Sequence, residues 1–174
     1  MKSIASSLLM CTFLLGAAVP AFSDDYPSRK AGLWEMKIMH KGGPNQAPPT
    51  LQCIDQGTDL ALQKMGEGMS GGACSSHSMK KEGANYVGDS VCTIMGSKIT
   101  SHSIISGDFS NTYKAEVTAK YDPPLMGKSE AVTSVDAKYV GDCKPGQEPG
   151  DMILPNGTKM NVFKLMPAMR PGMK

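Results

Sequence analysis

At 174 residues, with apolar residues at 40%, charged at 20% and aromatics at 6%, the chain holds one domain's worth of material and few bulky side chains to bury. The formal net charge of +2 lacks the basic bias of a nucleic-acid binder, and 19 Gly and 12 Pro against 4 Phe and 1 Trp favour turns over long helices. These figures exclude a coiled coil, a polytopic membrane protein and a large multidomain enzyme.

Residues 1–23 read as a transport signal. Lys2 is followed by the apolar run Leu8 to Val19, and Ala21-Phe22-Ser23 places small residues at the −3 and −1 positions of a cut before Asp24. A run of about a dozen apolar residues is too short to span roughly 30 Å of hydrocarbon, so no transmembrane segment is expected in the mature chain. Cleavage near Ser23 would deliver the protein to the periplasm or the exterior. It would also remove Lys2 and Cys11, leaving 17 basic against 16 acidic residues and four cysteines, Cys53, Cys74, Cys92 and Cys143. An even number of cysteines in an exported chain reads as a disulfide set, and none of the four stands in a C-x-x-C metal pair. Four cysteines allow three pairings; Cys53–Cys74 and Cys92–Cys143 are the expected ones. The first would close a strand–helix–loop excursion, and the second would pin the last strand to the middle of the sheet.

In the mature chain, residues 24–31 are polar and read as a flexible N-terminus. Leu33 to His40 alternates with period two, with Trp34, Met36, Ile38 and His40 on one side, which predicts a strand. A loop through Gly42-Gly43-Pro44-Asn45 leads to a short strand over Thr50 to Ile54. Thr58 or Asp59 then caps a helix of about two turns through Met65, ended by Gly66. Strands follow over Ser75–Lys81, Tyr86–Met95, Lys98–Ser106, Asn111–Tyr121 and Ser129–Cys143, divided by turn residues such as Gly83, Gly96 and Asp122-Pro123-Pro124. Tyr113, Ala115, Val117, Ala119 and Tyr121 face one way; Ala131, Thr133, Val135, Ala137 and Tyr139 repeat the pattern. The fold class is therefore all-β with minor α: a curved antiparallel meander forming a half-barrel or lipocalin-like cup, with one short helix. The single β domain spans 32–143. Residues 144–174 form a Pro/Gly-rich basic extension, solvated or adding one strand through Met160–Met166.

Gly32-Leu33-Trp34-Glu35, Gln52-Cys53-Ile54, a cysteine after a Gly-rich loop, another in mid-sheet, and Gly141-Asp142-Cys143 occur in that order. Over Gly32 to Cys143 the chain resembles the bacterial exported family known as domain of unknown function 3617. It departs from the family in carrying Ile54-Asp55-Gln56, where a Leu-Thr-Pro-like sequence commonly follows the first cysteine. The resemblance implies compartment and extent; the family has no established activity to carry over.

Gly66-x-Gly68-x-x-Gly71 has dinucleotide spacing but follows a helix instead of preceding one. His40, His77 and His102 stand in strand context without a partner motif. An enzyme is not expected, and no cofactor is implied. The leading expectation is non-enzymatic binding of an apolar ligand or an envelope partner, on a concave face lined by Tyr113, Val117, Tyr121, Val135 and Tyr139. The alternative is Cu(I) handling by soft ligands, with His77, Met79, Met166 and Met169 as the candidate set.

Overall fold

The structure is a computed structural model, and it describes residues 26–43, 48–70 (backbone only over 64–70) and 73–165. The described residues form one antiparallel sheet that does not close. Its strands are β1 (Gly32–His40), β2 (Thr50–Ile54), β3 (Cys74–Glu82), β4 (Asn85–Ile94), β5 (Ser97–Gly107), β6 (Thr112–Leu125), β7 (Lys128–Gly141), β8 (Asp151–Ile153) and β9 (Lys159–Asn161). Helix α1 (Gln56–Ser70) joins β2 to β3, and a single turn, α2 (Val162–Leu165), follows β9. The spatial order is β3-β4-β5-β6-β7-β1-β2-β8-β9. The meander from β3 to β7 is the one the alternation predicts, and its hairpins are tight. Met95-Gly96 and Met126-Gly127 are two-residue loops with positive φ at both positions (52° and 79°; 51° and 79°), the geometry that matches the twist of the flanking strands. Strand β6 runs on through Pro123-Pro124 to Leu125, past the predicted stop at Tyr121.

The non-sequential step is β1, which lies between β2 and β7. Leu33 pairs with Cys53 on one side and with Gly141 on the other. That placement overturns the expected cysteine pairing. The bridges are Cys53–Cys143, across the end of β1, and Cys74–Cys92, between residues that face each other in the β3–β4 register. The last strand is thus tied to β2 across β1 and has no covalent link to mid-sheet.

Alternation divides the sheet into an inner and an outer face. The inner face carries the core at one end: Trp34, Ile54 and Ala137 are buried, with Met36, Tyr113, Tyr139 and Leu62 of α1 packed against them. Trp34 meets Tyr139 edge-on at 5.8 Å between ring centroids, and Tyr113 tilted at 5.6 Å. Such pairs add about 0.5–1.5 kcal/mol beyond the area they bury. On the outer face at the same end, Leu33 and Cys53 are buried, and the chain after Cys143 lies beside them. The Gly150 N–H donates to the Cys53 carbonyl at 2.9 Å, and the Phe163 ring rests on Gly150, where a Cβ would come within 2.5 Å of it. Residues 144–165 are therefore not a solvated extension. They add β8 and β9 beyond β2, with Val162 and Phe163 buried.

Helix α1 also differs from the expectation. Its cap is Asp55, whose Oδ1 accepts the Thr58 N–H at 2.6 Å, and the helix continues through Gly66 and Gly68 to Ser70. Hydrogen bonds from the Thr58 hydroxyl, then from the Thr58 N–H, hold the Asp55 carboxyl below its ordinary value of 3.8.

Peptide mapping of the oxidised protein should recover Cys53 with Cys143 and Cys74 with Cys92. Loop lengths of 90 and 18 residues predict that removing the first bridge costs about 4.6 kcal/mol and the second about 3.2 kcal/mol on the chain-entropy scale, read by urea denaturation. Asp55→Ala should cost about 1 kcal/mol at neutral pH. The folded carboxyl titrates below 3.8, so its contribution is complete above that pH and fades as pH falls beneath it; the gap between wild type and variant should narrow there.

Candidate functional site

Residues 26–31 cross the inner face as an arm, and Arg29 is its anchor. The Arg29 Nε donates to Asp59 Oδ1 at 2.7 Å, Nη2 lies 2.7 Å from the same oxygen, and the Arg29 backbone N–H donates to Oδ2 at 2.8 Å. Nη1 donates to Gln52 Oε1 at 3.0 Å and lies 3.5 Å from the Tyr113 hydroxyl, which in turn faces the Met36 thioether at 3.6 Å. Asp59 is 1% exposed and Arg29 11%. Burial pushes the Tyr113 phenol up from its ordinary value, against the pull of the Arg29 charge, so it stays protonated at neutral pH. The arm is fixed further along by the Trp34 Nε1–H, which donates to the Lys30 carbonyl at 2.8 Å, and by the Lys30 ammonium 4.1 Å above the Tyr139 ring. Tyr26 reaches β3, its hydroxyl 3.0 Å from His77 Nε2. Among the described residues no buried side-chain polar atom lacks a partner. This cluster is a saturated joint, with no group left over for a ligand.

The outer face is different. Three depressions of about 440, 440 and 500 Å³ lie in series along β6 and β7. The first and second share Ser106, Lys114 and Asp136, and the second and third share Glu116 and Ser134, so they form one trough. Register explains its floor: Lys37, Asp136, Lys114 and Ser106 stand in one row across four strands, and Met39, Ser134, Glu116 and Ile104 in the next. Lys114 and Asp136 pair at 3.4 Å, and Lys37 and Glu35 at 3.9 Å. Both pairs are exposed and contribute little to stability. Lys138 and Glu116 have no ion-pair or side-chain hydrogen-bond partner among the described residues, and the same holds for Lys41.

The family model described as Protein of unknown function (DUF3617) matches residues 29–143. The chain belongs to this family. The match opens at Arg29 and closes at Cys143, so the DUF3617 unit contains the arm anchor, the Trp34 core and both disulfides, while β8 and β9 lie beyond it. No curated protein and no solved structure matches the chain.

Within the DUF3617 fold the five residues expected to line a binding face separate. Tyr113 and Tyr139 pack on Trp34, and the Tyr139 hydroxyl donates to Asp142 at 3.2 Å. Val117, Val135 and Tyr121 continue along the inner face, half-buried. Of the five, Tyr113 borders the first depression and Val135 the second. Of the alternative metal set, His77 and Met79 alternate onto one side of β3. His77 contacts Tyr26, and Met79 is buried with its thioether against Gly88. Met166 and Met169 lie outside the described residues. His40 bonds Thr133 at 3.0 Å and His102 bonds Asp89 at 2.8 Å. No group of three or more His, Cys, Asp or Glu among the described residues is placed to hold a metal. Gly66 and Gly68 are interior to α1, away from any helix start.

Sequence reasoning missed both the Arg29 joint and the trough. The trough residues alternate as an ordinary wet face, and only the sheet's shape makes them a recess. Asp59→Ala should cost about 3–5 kcal/mol because it strands the buried Arg29. Asp59→Leu combined with Arg29→Met should cost much less than the two single changes together, as measured by a double-mutant cycle.

Proposed function

We propose that this DUF3617 protein is an exported, non-enzymatic binding protein whose partner is another protein of the envelope, received on the outer trough. Export is supported by the Lys2, Leu8–Val19 and Ala21-Phe22-Ser23 pattern and by two cysteine bridges, which persist in oxidising compartments. The single observation that carries the binding reading is the run of three adjoining depressions on a face made of rigid strands. The inner face favours an enclosed apolar ligand less, because two of its tyrosines are spent on the Trp34 core and its arm is locked by Arg29. His40, which borders the third depression, is exposed and bonded to Thr133, and His102 sits with Asp89, both more than half exposed; such open strand surface is poor ground for general-base work.

Protein recovered from outside the cytosol should begin at Asp24. Titrating it with mixed-charge peptides in ¹H–¹⁵N spectra should move resonances of Lys37, Lys114, Glu116, Ser134 and Asp136, while decanoate should leave the inner-face Val117 and Tyr139 unmoved. Decanoate shifts on the inner face, with none from any peptide on the outer face, would replace this reading with that of an apolar-ligand carrier.

A further inference from the structure

The charges along the trough have an order. Lys138 stands at one end, in the row of Thr112 and Glu35. Glu116 lies opposite Ser134, and Lys41 closes the other end, its backbone N–H donating to the Val132 carbonyl at 2.9 Å. The acids and lysines between them, Lys114 with Asp136 and Lys37 with Glu35, already neutralise each other. Three charges are thus left without an opposite partner among the described residues, in the sequence plus, minus, plus. Measured along β7, four residues separate the first from the second and two the second from the third, which at 3.4 Å per residue are axial steps of about 14 Å and about 7 Å, with Glu116 one strand to one side of β7 and Lys41 one strand to the other.

We infer that the trough receives an extended polypeptide segment of a partner protein, whose inward-facing side chains carry an acid, a base four residues on and an acid two residues beyond that, in either chain direction. The inference rests on the binding reading above and specifies its ligand. Period-two side chains put positions i, i+4 and i+6 of an extended chain on one face, so seven residues meet all three charges at once. Other ligand chemistries fit poorly. An acyl chain would desolvate the charged floor. A glycan would seek an aromatic platform, and the Tyr113 ring is packed against Trp34 and Phe109. A nucleic acid would meet Glu35, Glu116 and Asp136.

The test compares three heptapeptides on the intact oxidised protein by spectral titration. Asp-Thr-Val-Thr-Lys-Thr-Asp matches the register. Asp-Thr-Val-Lys-Thr-Thr-Asp has the same composition with the base turned to the far side, and Lys-Thr-Val-Thr-Asp-Thr-Lys inverts the charges. The first should bind about three- to fivefold more tightly than the second, the scale of one exposed ion pair. The protein variant combining Lys41→Glu, Glu116→Lys and Lys138→Glu should reverse the order, preferring the third peptide over the first by about thirtyfold. All three sites are exposed, so the variant should keep the fold. Equal affinities for the first two peptides, or no reversal in the variant, overturn the charge register while outer-face shifts leave the binding reading standing. An outer face that responds to none of the peptides overturns both.

Discussion

The Arg29–Asp59 ion pair ties together four separate pieces of chain at one end of the sheet. Arg29 comes from the arm before β1, Asp59 from the first turns of α1, Gln52 from β2 and Tyr113 from β6. Two buried charges are tolerable only when their mutual geometry and their remaining hydrogen bonds are nearly complete, and here each nitrogen of the guanidinium has an acceptor within reach. Satisfying them sets α1 over one end of the sheet. That is where Trp34 finds its cover, and where an aromatic-poor chain concentrates the few rings it has.

The two ends of the sheet consequently differ. At the Trp34 end both faces are covered, the inner by the arm and α1, the outer by the Cys53–Cys143 bridge and the chain through Gly150 and Phe163. Toward the far end Ile38 and Ile104 are each more than two-fifths exposed, and the strands there are held mainly by their ladders and by Cys74–Cys92.

Local signals were legible and non-local ones were not. The alternation from Tyr113 to Tyr121 and from Ala131 to Tyr139 announced paired strands, and the order of Trp34 and the cysteines announced the family that the matched residues bear out. The cysteine pairing escaped because β1 inserts between strands distant in sequence, and nothing in a hairpin pattern foretells that. Asp59 looks like a helix cap beside Thr58; its real partner lies 30 residues earlier. Strands β8 and β9 are three residues each, too short for periodicity to show against a Pro/Gly-rich background. The trough escaped for another reason: a row of Lys, Glu and Asp reads as solvated surface until the twist of the sheet is known.

The connectivity also dictates how the crosslinks must be reached. In a chain threaded N-terminus first into an oxidising space, Cys53 and Cys74 arrive before Cys92, and Cys143 arrives last. The earliest pair to meet an oxidant is therefore one that the finished molecule does not contain. A Cys53–Cys74 bridge closed on the way would have to be undone by thiol–disulfide exchange before the finished pair of bridges could form.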